Sequence, residues 1–144
     1  AISDGEHQVK IHDINYAGLQ HYVYRLTIND GPQINETFPL GGRRGEQIAV
    51  QLSGVNLPDK AASLQMPTDE RETMIHRFTF NQRKANAVPF ELSDLPEQLE
   101  PEPNQATTTY ELPAVFNGRI GSAGEEDVWK IRAKKGDTYE FDLR

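Results

Sequence analysis

Apolar side chains in this chain recur at every second position rather than every third or fourth. In "HYVYRLTI", Tyr22, Tyr24, Leu26 and Ile28 share one face, and Val9 and Ile11 share another within Glu6 to His12. The pattern continues with Ile48, Val50 and Leu52 in "EQIAVQLSGVNL", with His76, Phe78 and Phe80 in "RETMIHRFTF", and with Val88, Phe90 and Leu92 in "AVPFEL". It resumes near the end, with Val115 in "AVFNGRI", Trp129 and Ile131 in "EDVWKIRA", and Tyr139, Phe141 and Leu143 in "DTYEFDLR". A period of two is that of a strand with one buried face, so the pattern predicts an all-β chain with almost no helix. The segments 6–12 and 22–28 are expected to pair across "DINYAGLQ". "NDGP", "GGRRG", "GSAGE" and "KKGD" are read as turns, because Gly and Pro supply the backbone angles that turns need. The polar run from Leu57 to Glu72 is expected to be loop with at most a short strand.

Composition removes whole classes of function. A chain of 144 residues with a hydrophobic fraction of 36% can bury one ordinary core or two small ones. No apolar run approaches the roughly 20 residues that a helical membrane span requires. The formal net charge of −7 repels polyphosphate and argues against nucleic acid as a partner. Cysteine is absent, which excludes disulfides, thiolate metal sites and cysteine nucleophiles together. The opening at Ala1, without initiator Met or signal peptide, and the close at Arg144 on a strand lead us to expect an excised piece of something longer.

Catalytic motifs are missing. "GGRRG" lacks the GxxxxGK[ST] pattern and leads into a strand, so no helix N-terminus awaits a phosphate. His7, His12, His21 and His76 lack HExxH or equivalent zinc spacing. Ser122 sits in "GSAGE" with no GxSxG elbow and no histidine or acid in a recognisable order. Trp129 alternates with Ile131, which favours packing over a sugar-stacking platform. The expectation is that the chain is not an enzyme.

The stretch "SDLPEQLEPEPNQATTTYELP" carries Pro96, Pro101 and Pro103 and few large apolar groups, as a domain boundary does. It admits a second reading. An extended segment puts Glu100, Glu102 and Asn104 on one side, and the intervening prolines keep it extended. Such a row of oxygens suits Ca²⁺, which takes six to eight oxygen ligands at about 2.3–2.6 Å. A stiff linker and a calcium site are both open on these residues.

Two families are resembled. "EPEPNQATTTYELPAVFNGRIGSAGEEDVWKIRAKKGDTYEFDLR" resembles the first half of the bacterial pre-peptidase C-terminal domain, through Glu102, Pro103, Asn104, Pro113, Asn117, Gly118, Ile120, Glu125, Asp127, Trp129, Ile131, Lys135, Gly136, Tyr139 and Phe141. "DGEHQVKIHDINYAGLQHYVYRLTI" resembles that family's closing hairpin, with His7 where an aromatic is usual. "INETFPLGGRRGEQIAVQLSGVNLP" is similar to the opening of immunoglobulin-like IPT/TIG modules. These resemblances imply a closing hairpin over 1–31, an immunoglobulin-like β-sandwich over 32–95, and a linker with the first half of a jelly-roll-like sandwich over 96–144. The two partial sandwiches are complementary and could pair within one chain or between two.

The resemblance also implies a calcium site whose ligands are Glu100, Glu102, Asn104 and one of Glu126 or Asp127. Gln105 stands where the family has Asp, which removes one charged ligand. The function implied is that of a non-catalytic accessory region of a large secreted or surface bacterial protein, adhesive or substrate-targeting toward a polysaccharide or fibrous protein. The alternative is a structural spacer in a tandem sandwich array.

Overall fold

The computed structural model describes residues 3–101 and 107–144. It is all-β, with no helix among the described residues. In chain order the strands are β1 (Gln33–Phe38), β2 (Gly41–Arg43), β3 (Gln47–Val55), β4 (Ala61–Gln65), β5 (Thr73–His76), β6 (Thr79–Phe80), β7 (Arg83–Lys84), β8 (Val88–Ser93), β9 (Glu97–Leu99), β10 (Thr109–Tyr110), β11 (Val115–Asn117) and β12 (Lys130–Ile131). One sheet has the order β1-β3-β4 and is antiparallel throughout. A second has the order β2-β8-β5, with β2 parallel and β5 antiparallel to β8.

The alternation read from the sequence decides what these sheets bury. Ile34, Val50, Leu52 and Leu64 come from the first sheet and Val88, Phe90 and Leu92 from the second, and together with Met66, Phe78 and Ala85 they form one core. Val50 and Phe90 are fully buried. Such a two-sheet core is held by apolar area removed from water, at about 25 cal/mol per Å². A smaller aromatic group lies further along, where Tyr110, Phe116 and Trp129 meet with ring centroids 4.7 to 5.5 Å apart. Here β10 pairs with β12, and β9 with β11, both in parallel.

Three features depart from the expectation. Segments 6–12 and 22–28 form no strand. Local turns replace the hairpin, with Tyr16 N–H donating to Asp13 O and Tyr22 N–H to Leu19 O. Val9, Ile11, Tyr22, Tyr24, Leu26 and Ile28 are all exposed, and a two-stranded hairpin with no layer against it is marginal in water. Likewise 137–144 forms no strand, and Phe141 and Leu143 are exposed.

The third departure concerns "GGRRG", which is a strand before it is a turn. Gly41–Arg43 runs along β8, and the turn falls at Arg44 and Gly45, closed by Glu46 N–H donating to Arg43 O at 3.1 Å. A Cβ on Gly41 would sit 2.2 Å from the Glu91 carbonyl oxygen, so only glycine lets these backbones approach. Arg44 then clamps the neighbouring loops. Its side chain donates to Asp69 O at 2.9 Å and Arg71 O at 2.7 Å, and pairs with Asp94 at 3.1 Å.

Candidate metal centre

The parallel pairing of β9 with β11 carries the linker past the start of the next strand region. It sets Leu99 beside Asn117, and Glu100 N–H donates to Asn117 O at 2.8 Å. Asn117 is buried and donates in turn to Glu97 Oε2 at 2.7 Å, which fixes the register through side chains as well as backbone. Glu100 therefore lies against the segment that follows β11, and its Oε2 accepts the Arg119 N–H at 2.9 Å.

On the far side, the turn "GSAGEED" delivers two more carboxylates. Glu125 Oε2 accepts the Ser122 N–H at 2.8 Å and the Ser122 hydroxyl at 3.0 Å, while Glu125 N–H donates to Ser122 O at 3.2 Å. This reciprocal bonding orients Glu125. Oxygens of Glu100, Glu125 and Asp127 all lie within 4.8 Å of one another. Gly118 stands between them. A Cβ there would come within 2.8 Å of Asp127 Oδ2 and 3.3 Å of Glu100 Oε2. The missing side chain is what leaves room between the two acids.

The donor set is oxygen only, without imidazole or thiolate, and so fits a hard cation rather than zinc or copper. Glu100 and Asp127, both expected from the sequence, are brought together. Of the two acids expected as alternatives, Asp127 is in the group and Glu126 is not, while Glu125, which was not expected as a ligand, joins it, because side chains two apart share a face of an extended chain while the one between faces away. Glu102 and Asn104 lie outside the described residues.

The histidines do not converge on one another. His12 stacks on Tyr16 at 4.2 Å, His21 meets Tyr22 edge-on at 5.0 Å, and His76 meets Phe78 edge-on at 4.6 Å. Partial burial holds the His76 pKa below the ordinary imidazole value.

No protein-family model, no curated protein and no solved structure matches the chain. Among the described residues no helix is long and apolar enough to cross a membrane.

Proposed function

We propose that this chain is a non-catalytic accessory region of a large secreted or surface bacterial protein. In this reading its central part is an immunoglobulin-like β-sandwich, its task is adhesive or substrate-targeting, and its acidic group binds calcium. The observation that carries the reading is the meeting of Glu100, Glu125 and Asp127 around Gly118. Three carboxylates with oxygens within 4.8 Å of one another repel, and a cation bound among them would offset that repulsion. Two three-stranded sheets sharing one core support the sandwich.

Calcium would be held by these carboxylates and would neutralise them, fixing the linker against the turn that follows it. Binding to the folded state alone raises stability by about 2.7 kcal/mol at a hundredfold excess over the dissociation constant. Calorimetry and thermal melting with Ca²⁺ test this. Ca²⁺ should raise the melting temperature, and Mg²⁺ should do so poorly because it demands a tighter octahedron and sheds water reluctantly. Glu125→Gln should remove most of the effect and Glu126→Gln little of it. No heat of binding at millimolar Ca²⁺, with an unchanged melting temperature, would leave the segment a linker. The adhesive task is tested separately by screening polysaccharides and fibrous proteins. A chain silent toward all of them is a spacer.

A further inference from the structure

Between Phe38 and Gly41 the chain leaves the sheet of β1 and enters the sheet of β8. The crossing leaves a groove of about 710 Å³, with Phe38, Leu40, Val88 and Pro89 among its lining. Gly118 and Arg119 line it as well.

The groove is poorly made for a peptide strand. Both backbone groups of Ile34 on β1 are taken by the Asn86 side chain, at 2.7 and 2.9 Å, and the register slips between Ile34 and Glu36. On β8, Leu92 N–H points to Glu72 O and Glu91 N–H to Leu40 O, so alternate residues face opposite neighbours. Position 89 therefore faces the same way as 91, and it is a proline with no N–H to offer. Bulges and edge prolines are the devices that close sheet edges to added strands.

Recognition is left to side chains. Asn35, Gln51 and Ser53 bring amides and a hydroxyl, while Phe38 and Leu40 bring apolar surface, Leu40 being 54% exposed. Lys60 and Arg119 bring two cations, and Glu36 is the one acid in the lining. The Arg119 guanidinium rests 4.4 Å over the Phe38 ring. Neither cation has a carboxylate partner among the described residues. The lining itself carries two cations against the one carboxylate of Glu36, and the acids Glu100, Glu125 and Asp127 beside Gly118 are neutralised by calcium in the reading above, so that with calcium bound the groove draws an anion.

We infer that the groove binds an anionic polysaccharide, of which a polyuronate is the simplest case. Lys60 and Arg119 take its carboxylates, the amides take its hydroxyls, and the apolar border packs on the C–H faces of its rings. The inference rests on the adhesive reading above and names its ligand class.

Affinity electrophoresis of the full chain through polygalacturonate, a neutral galactan and poly-glutamate decides it. Polygalacturonate should retard the chain about tenfold more strongly than either control, and the retardation should fall with salt. Lys60→Gln and Arg119→Gln should each weaken binding by about three- to tenfold. Lys60 is exposed and its ammonium is unpaired, so its substitution leaves the fold intact, as circular dichroism will report. Equal retardation by poly-glutamate or by galactan overturns the inference, as does retention unchanged in both variants. Binding confined to neutral polysaccharides or fibrous proteins overturns it while the adhesive reading stands. Silence toward every polymer overturns both.

Discussion

Gly118 shows how a single missing side chain can hold a site open. A Cβ at Gly118 first meets the far ends of the Asp127 and Glu100 side chains, which can swing aside when no metal holds them, so Gly118→Ala should weaken Ca²⁺ binding about tenfold while changing the metal-free melting temperature much less. Calorimetry with paired melting curves checks this, and an equal loss of stability with and without metal would make Gly118 a folding residue only. Arg44 holds three partners at once, so Arg44→Ala should destabilise the fold by about 2 kcal/mol, measured by urea unfolding. His76 supplies a pH signature. Its pKa is lowered by burial, so between the folded and unfolded values the unfolded state binds more protons. Its contribution is complete above the ordinary imidazole pKa, about 6.5, and is lost as pH falls toward the folded value. His76→Phe should flatten the stability profile in that window.

At the scale of elements, protection should follow the pairings rather than the hydrophobic pattern. Lys10 and Arg25 are exposed and belong to no strand, whereas the linker residues Glu97–Leu99 are paired to β11. Trypsin should cut at Lys10 and Arg25 before any site between Arg43 and Lys84, as mass spectrometry of a time course will show. First cleavage inside the two-sheet core would contradict the pairing. The contrast explains what the sequence disclosed. Strands β3 and β8 were legible because each puts three apolar residues, Ile48, Val50 and Leu52 or Val88, Phe90 and Leu92, on a face that meets a second layer. Tyr22, Tyr24, Leu26 and Ile28 carry an equally clean pattern, but periodicity reports the preference of a segment and is silent about whether a layer lies opposite. Strand β2 was hidden for the opposite reason, since two glycines carry no pattern and their role appears only when Glu91 and Met66 stand against them. Within the acidic group, Glu100 was legible from its motif, and Asp127 as one of two alternatives with Glu126. Glu125 was not, because the choice among three consecutive acids depends on how the turn is closed by Ser122.

For the molecule as a whole, the positions of buried and exposed apolar residues divide the labour. Every buried hydrophobic residue of the core lies between Ile34 and Leu92. Ten large apolar residues from Val9 to Ile28 are exposed instead, a density that soluble monomers rarely carry on one stretch. The two observations predict separable behaviour. Deleting residues 1–31 should leave the thermal transition in place to within about 3 °C, because a change well under 1 kcal/mol moves the midpoint of a domain this size only slightly. The same deletion should reduce concentration-dependent self-association, because it removes apolar surface and unpaired backbone that another chain can cover. Circular dichroism melting and sedimentation velocity over a concentration series read the two effects independently. Loss of the cooperative transition on deletion would mean that the first 31 residues support the core, and unchanged association would place the sticky surface elsewhere, at Phe141 and Leu143.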